Sequence, residues 1–290
     1  MMKSIFASSV FLILISQLAF SHLESFSFYM QNGRTLYVGG SGPGNYTSIQ
    51  EAIFAAEDGD TIFVYDDSSP YEEYIYIWKN IRLIGENRDT TIIKLDRGKL
   101  VWVEKVKWFE MRGFTIKNGA TVPAGALSLF SCRNVKIDNC NFFNNFYSGI
   151  LVDYSSNVKI SNCNFVWNLA SIDIYYSFYT KISRCNFSYA VACIITSYSI
   201  ANLISECNFS NNSGGIWLEN SILSKIHHCN FINNQQHAYF INSFLNFWDR
   251  NYWDRPRLLP KPIMGKISFY KITIPWINFD WHPLMKPYKW

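Results

Sequence analysis

The sequence of 290 residues has few charged side chains, and this shortage already excludes some classes of protein. Asp, Glu, Lys and Arg together make up 17% of the chain, below the usual quarter, and the formal net charge is only +4. Lys and Arg are scattered without a dense basic run, so a nucleic-acid partner is not expected. Because 49% of the residues are apolar, a sizeable core is expected and disorder is not.

Beyond the N-terminus, no apolar run is long enough to cross a bilayer. Residues 1–21 have the features of a signal peptide, with Lys3 as the positive start, an apolar centre at residues 10–15 and small residues near position 21. An uncleaved N-terminal membrane anchor is the alternative. The mature chain is therefore expected to be secreted, or to lie at the cell surface or in the periplasm.

The chain also lacks CxxC pairs and clusters rich in His or Met, so neither a metal site nor a cofactor is predicted. Five of its seven cysteines begin the tripeptide Cys-Asn-Phe, which recurs at steps of 23, 22, 22 and 22 residues. These cysteines are Cys140, Cys163, Cys185, Cys207 and Cys229. A second apolar series has the same period and consists of Leu127, Ile150, Ile172, Ile194 and Ile216.

Short alternating segments within each repeat, such as residues 150–153 and 158–161, are typical of half-buried strands. Ser, Asn and Gly lie between them and favour turns. Helical repeats are longer than 22 residues, and the scaffold of a leucine-rich repeat is absent. The pattern predicts an all-β fold, a right-handed parallel β-helix over residues 36–245, whose coils stack roughly 4.8 Å apart. The cysteines then form a buried column of thiols, or one or two disulfides between neighbouring coils.

Both ends of the solenoid need closure. Residues 48–56 form the one convincing amphipathic helix, with Ser48 and Glu51 as a capping box, and this helix is expected to close the first coil. Short strands are expected after it, at residues 61–65, 74–78, 81–84, 91–95 and 99–103. Residues 246–290 break the period and are rich in Pro and Trp, which predicts an irregular C-terminal cap or arm.

Alternation along the strand series of Ile150 points several polar and aromatic side chains outward. They are Asp153, Asp173, Tyr175, Trp217 and Glu219. The Cα atoms of Asp153 and Asp173 should lie roughly 8 Å apart. Two carboxylates beside aromatic rings could act as the acid and base of a polysaccharide hydrolase, bind sugar without catalysis, or only make the surface soluble.

The second strand face carries a series of lysines, Lys136, Lys159 and Lys181, which continues to Lys225 after an interruption at Leu203. Stacked lysines repel one another and could mark a binding site for an anionic polymer. Lysine is also the usual guard against pairing between sheets, and this role is favoured. His227 and His228 are adjacent, so on a strand they should point in opposite directions and not bind one ion together.

Several motifs resemble the opening of secreted β-helix proteins of the pectin-lyase-like class. They lie at residues 36–40 (LYVGG), 42–53 (GPGNYTSIQEAI), 59–64 (GDTIFV) and 83–86 (LIGE). Within this class the chain is similar to the NosD-type family, and residues 251–253 and 280–283 are similar to the closing motif of prokaryotic, especially archaeal, members. The resemblance covers about residues 36–290. It implies the fold, export and periplasmic copper processing for nitrous oxide reductase.

Three functions remain open. The favoured one is a non-enzymatic envelope protein that binds carbohydrate or another surface polymer on an exposed sheet face. A polysaccharide hydrolase that uses Asp153 and Asp173 is the second. The third, an accessory protein for copper-enzyme maturation, rests on the resemblance alone. The expected partner is a polysaccharide or cell-surface glycan, and a membrane is expected only through an uncleaved N-terminal anchor.

Overall fold

The computed structural model describes residues 33–95, 101–119, 124–270 and 272–289, so the predicted signal segment at 1–21 lies outside the described residues. These residues form a right-handed parallel β-helix of about 10 turns with about 22 residues per coil, which confirms the predicted fold. Within the described ranges, no helix has the length and apolar character needed to cross a membrane.

Twenty-eight strands make up the described part of the solenoid and its C-terminal end. In chain order they are β1 (Thr35–Val38), β2 (Thr61–Val64), β3 (Ile75–Ile77), β4 (Arg82–Gly85), β5 (Ile92–Lys94), β6 (Val101–Glu104), β7 (Phe109–Arg112), β8 (Thr115–Lys117), β9 (Gly125–Phe130), β10 (Arg133–Asp138), β11 (Asn141–Phe143), β12 (Ser148–Asp153), β13 (Ser156–Ser161), β14 (Asn164–Val166), β15 (Ala170–Tyr175), β16 (Lys181–Ser183), β17 (Asn186–Ser188), β18 (Ala192–Ser197), β19 (Leu203–Ser205), β20 (Asn208–Ser210), β21 (Gly214–Glu219), β22 (Lys225–His227), β23 (Asn230–Ile232), β24 (Gln236–Ile241), β25 (Phe247–Asp249), β26 (Tyr252–Trp253), β27 (Lys261–Phe269) and β28 (Ile272–Asp280).

The coils place these strands in three parallel stacks. Stack A contains β3, β6, β9, β12, β15, β18, β21 and β24. Stack B contains β1, β2, β4, β7, β10, β13, β16, β19, β22 and β25. Stack C contains β5, β8, β11, β14, β17, β20, β23 and β26. Residues one period apart pair in register, as Ile150, Ile172 and Ile194 do, so each repeated residue type becomes a column.

The interior is built from such columns. Phe142, Phe165, Phe187, Phe209 and Phe231 stack with ring centroids 4.8–4.9 Å apart. Trp253 closes this column 4.4 Å above Phe231. All seven cysteines are buried and free, so the predicted thiol column is present. Burial raises the pKa of its interior thiols, for example that of Cys185, well above the ordinary value, so these side chains stay neutral.

The corners explain why the sequence is rich in Asn. From β7 onward, one residue at each corner between stacks B and C has a positive φ, including Asn139 (51°), Asn162 (54°) and Arg184 (53°). Asn tolerates the left-handed region better than most residues. The Asn of each Cys-Asn-Phe tripeptide also bonds along the stack, with Asn164 Nδ2 donating to Asn141 Oδ1 at 3.0 Å and Asn186 Nδ2 to Asn164 Oδ1 at 3.0 Å.

Helix α1 (Ile49–Ala55) lies at the first coil, as predicted, and Ser48 is its N-cap. Its buried residues Ile49, Ala52 and Ile53 join the core. At the other end the columns continue past residue 245, because β25 pairs with β22 and β26 pairs with β23. Residues 261–280 then form an antiparallel hairpin of β27 and β28. Prolines within this hairpin obscure the strand pattern in the sequence. The hairpin tolerates them because proline lacks only a backbone N–H, and the outer edges of a two-stranded ribbon need no hydrogen-bond partner.

Candidate functional site

The outward side of stack A, here called face A, carries the acidic and aromatic residues predicted from alternation. Asp153, Tyr175 and Glu219 lie in one column. Asp173 and Trp217 lie in the column two residues earlier, separated by Ile195. The five predicted residues therefore share one surface that spans four coils.

Asp173 is almost fully buried although it lies on this outward side, with a relative exposure of 2%. Its Oδ2 accepts a hydrogen bond from Ser148 Oγ, and its Oδ1 has no hydrogen-bond partner. Burial raises the pKa of Asp173 to about 6, and the Ser148 hydrogen bond opposes this only in part. A column of small residues, in which Ser148 pairs with Ala170 and Ala170 with Ala192, leaves room for the carboxylate to fold against the sheet.

The two predicted carboxylates diverge. Ser148, the hydrogen-bond partner of Asp173, lies beside Ala170, which is three residues before Asp173 on β15. Asp153 lies beside Tyr175, which is two residues after Asp173 on the same strand. The carboxylate of Asp173 therefore turns away from Asp153. Burial also raises the pKa of Asp153, but neither group bonds to the other. This arrangement does not provide the facing acid and base that a hydrolase needs.

Aromatic side chains surround this part of face A. Burial, followed by the negative charge of Asp173, raises the pKa of Tyr175 to about 12. Beside face A, Tyr154, Tyr176 and Tyr198 stack with centroids 5.0 Å apart. Tyr176 is therefore covered on both ring faces, whereas Tyr154 and Tyr198, at the two ends of the stack, each have a stacked ring on one face only.

The outward side of stack B, here called face B, carries the predicted lysines. Lys136, Lys159 and Lys181 lie in one column. Lys136 Nζ lies 2.7 Å from Glu110 Oε1. Lys159 and Lys181 are exposed, and no carboxylate in the described part of the chain forms an ion pair with either.

The position of the lysine column does not fit the favoured role as a guard of a sheet edge. Strands β10, β13 and β16 each have a parallel neighbour on both sides, so none of them is an edge strand. Like charges directly opposite each other destabilise a sheet by a few tenths of a kcal/mol or more. A column of unpaired cations inside a stack therefore requires another explanation.

A polar groove, which the sequence did not predict, continues face B toward the N-terminal coils. It has a volume of about 660 Å³ and is lined by Phe63, Asp66, Ile84, Gly85, Glu86, Asn87, Arg88, Asp89, Arg112, Gly113 and Asn139. Arg112 lies on β7 two residues after Glu110, the partner of Lys136. Arg88 Nη1 donates to Asn139 Oδ1 at 3.1 Å. The polar corner at residues 86–90 was the only signal for this groove in the sequence.

A histidine cluster lies at the far end of face B. The Nδ1 atoms of His227 and His228 are 2.6 Å apart, so the prediction that they point in opposite directions is wrong. The reason is that His228 occupies a corner with a φ of 56° and leaves the strand. His282 Nδ1 lies 2.8 Å from Asp249 Oδ1, and Asp249 pairs with His227. Across the described residues, no three His, Cys, Asp or Glu side chains converge as metal ligands do.

The fold of the chain is similar to that of several solved structures. A pectin methylesterase from Aspergillus niger is 18% identical, with a TM-score of 0.53, and the match covers 76% of this chain and 87% of that one. A protein described as ORF18 of Geobacillus virus E2 is 13% identical, with a TM-score of 0.51. The second match covers 80% of this chain but only 59% of that one, so this chain spans about three fifths of its length.

At these identities the structural matches show the fold alone. No curated protein matches the sequence. The family model described as periplasmic copper-binding protein (NosD) matches residues 55–258, which is more than half of the chain. The chain therefore belongs to the NosD family, which indicates an exported protein.

Proposed function

We propose that this exported β-helix protein binds an anionic polysaccharide along face B. The observation that carries the proposal is the column of Lys159 and Lys181, exposed and without carboxylate partners in the described chain. Lys159 and Lys181 are paired residues of neighbouring strands, so their backbones lie roughly 4.8 Å apart along the solenoid axis. A polymer with a carboxylate, phosphate or sulfate on successive units would neutralise the column and remove the repulsion within it.

The polar groove continues face B with charges of both signs, two arginines and three carboxylates. Arg88 Nε lies 3.4 Å from Asp89 Oδ1, so this guanidinium is already paired. Arg112 is exposed and forms no ion pair within the described residues, so its guanidinium is available for a bidentate contact with an anionic group. Asp66, Glu86 and Asp89 lie in the same groove and can accept hydrogen bonds from sugar hydroxyls. We infer that the groove holds the next units or the end of a polymer that lies on the lysines.

Face A contributes less to this proposal. Its aromatic residues Tyr175 and Trp217, with the exposed Glu219, could contact sugar, but the carboxylate of Asp173 is buried and turned away from Asp153. A binding protein without catalysis fits this geometry better than a hydrolase does.

The family description implies copper, but the described residues offer that metal no suitable set of ligands. The column thiols are fully buried, and burial raises their pKa, whereas a copper ligand must be an accessible thiolate. The histidine cluster does not bring a third ligand to the pair His227 and His228. The described residues therefore do not fit a resident copper ion.

The test measures retention of the purified protein by polygalacturonate, an anionic polysaccharide, and by dextran, an uncharged one, in affinity electrophoresis. We expect retention by the anionic polymer only, weakening as salt concentration rises. The substitution Lys159→Gln should weaken binding about tenfold, since a charge-assisted hydrogen bond contributes about 1.5 kcal/mol. The double variant with Lys181→Gln should lose more.

The matched control is Lys117→Gln, which removes the same charge from stack C. It should bind polygalacturonate like the unmodified protein. Equal retention by dextran, or an equal loss of binding in Lys117→Gln and Lys159→Gln, would show that face B is not the site.

A further inference from the structure

The hairpin of β27 and β28, here called the arm (residues 261–280), projects past the last coil. Only Gly265 and Lys266 of β27 pair with β24, and only Asp280 of β28 pairs with β25. Beyond these positions the two strands pair with each other, and Ser268 N still donates to Asn242 Oδ1 of the solenoid at 2.7 Å. With a rise of roughly 3.4 Å per residue, the tip beyond Ser268 extends about 7–10 Å from this last contact.

The base of the arm is firmly attached. Ile263 is buried in the core. A Cβ at Gly265 would lie 2.5 Å from the ring of Phe240, so the strand runs directly against that ring. The buried carboxylate of Asp280 accepts hydrogen bonds from the backbone N–H of Asn251 and from Trp253 Nε1, both at 3.0 Å. The arm is therefore held in one direction relative to the last coil.

The tip of the arm is apolar and exposed on one face. This face carries Phe269 (70% exposed), Ile272 and Ile274, and the turn adds Tyr270 (93% exposed). The opposite face of the tip is polar, because Ser268 and Thr273 lie there with their hydroxyl groups 3.1 Å apart. Nearer the base, exposed apolar side chains lie on both faces: Trp276 on the first, and Met264, Ile277 and Phe279 on the opposite one. A tip that is apolar on one side only is suited to lie in the interface between a polar and an apolar phase.

The charge of this segment has one sign. Residues 255–279 contain five basic residues and no Asp or Glu. They are Arg255, Arg257, Lys261, Lys266 and Lys271. Burial, followed by the charges of Arg257 and Arg255, lowers the pKa of Lys261, so these three cations lie close enough to repel one another. A second copy of the chain docked here would bring together two segments 255–279, each with five basic residues and no Asp or Glu.

We propose that the arm docks on an anionic lipid surface. The apolar side chains of the tip enter the boundary between headgroups and acyl chains, and the basic residues near the base contact lipid phosphates. Trp276 and Tyr270 are suited to this interfacial layer, because each combines an apolar ring with a polar group. The arm lies in the interface and does not span the bilayer, because the outer edges of a two-stranded ribbon leave backbone groups unpaired.

The experiment is co-sedimentation of the full chain with vesicles of phosphatidylcholine alone or with 30% phosphatidylglycerol. We expect stronger binding to the anionic vesicles. The double variant Phe269→Ser with Ile272→Ser should reduce that binding at least tenfold. Lys266→Gln should reduce it about fivefold on anionic vesicles only, as one basic residue near a charged surface implies.

The control is Phe146→Ser, because Phe146 is 68% exposed, like Phe269, but lies at a corner of the solenoid. It should bind vesicles like the unmodified chain, and all variants keep the same apolar N-terminal segment. Circular dichroism confirms that each variant is folded. Binding that is equal on both vesicle types, or that persists in the double variant, overturns the proposal. Capture by an acidic protein without vesicle binding would do so as well.

Discussion

Asp173 combines two properties that rarely occur together on a solvent-facing strand side: a carboxyl group and almost complete burial. Burial raises its pKa to about 6, against an ordinary value of 3.8. The folded state therefore holds this proton more tightly than the unfolded state. The resulting stabilisation is fully present below pH 3.8 and is lost as the pH rises to about 6.

The substitution Asp173→Asn should remove this dependence. The rise of about two units in the pKa of Asp173 corresponds to about 3 kcal/mol. At pH 7 the free energy of unfolding of the variant should therefore exceed that of the unmodified protein by up to this amount. The free energy of unfolding of the variant should also no longer fall between pH 4 and pH 6. Urea unfolding at half-unit steps from pH 4 to pH 8 measures both effects.

The control for this measurement is Glu219→Gln, on the same face but exposed. Its pH profile should match that of the unmodified chain. If the free energy of unfolding of Asp173→Asn still fell fully between pH 4 and pH 6, another group would cause the decline. Ionisation of the buried Asp173 carboxyl would then cost no stability.

At the scale of elements, the N-terminus of helix α1 is capped by a residue from the next coil. The Glu73 carboxylate accepts hydrogen bonds from Ser48 Oγ at 2.7 Å, Ile49 N at 2.8 Å and Gln50 N at 2.9 Å. The predicted capping box is only half formed, because Ser48 Oγ accepts from Glu51 N at 3.4 Å while the Glu51 carboxylate bonds to Thr47. Glu73 therefore stabilises the first turn more than Glu51 does.

Glu73→Ala should lower the free energy of unfolding by about 2 kcal/mol, because it removes a charged cap from two backbone N–H groups and leaves Ser48 without its acceptor. Glu51→Ala should cost less than about 0.5 kcal/mol. Chemical denaturation of the two variants at pH 7 compares them directly. Equal losses would mean that the cap contributes no more than an ordinary surface residue.

The elements differ in how far the sequence could predict them. The thiol and Phe columns followed from one residue type repeated at a fixed period, since stacking copies that pattern into space. Helix α1 followed from a local pattern. The cap by Glu73, the turn of Asp173 toward Ser148 and the groove around Arg112 depend on single contacts between coils. The repeat period of the sequence carries no information about such single contacts, so they could not be predicted from it.

At the scale of the whole molecule, each coil contacts mainly its two neighbours, so a complete coil should be removable. Deleting residues 176–197 joins Tyr175 to Tyr198, which occupies the column position of Tyr176. Strand β13 would then pair with β19, and β14 with β20, with their columns intact. The deletion should lower the free energy of unfolding by about 1–3 kcal/mol, which is what 22 residues contribute to the stability of an ordinary domain.

Deleting only residues 176–186 is the contrasting variant. Half a coil cannot bring like residues into register, so inward Ile and Phe side chains would meet polar corners and the core would lose its continuity. Circular dichroism and size-exclusion chromatography should show a folded species with the oligomeric state of the unmodified chain for the 22-residue deletion, and an unfolded or aggregated one for the 11-residue deletion. If both deletions unfolded the chain equally, stability would depend on contacts along the whole solenoid and not on neighbouring coils.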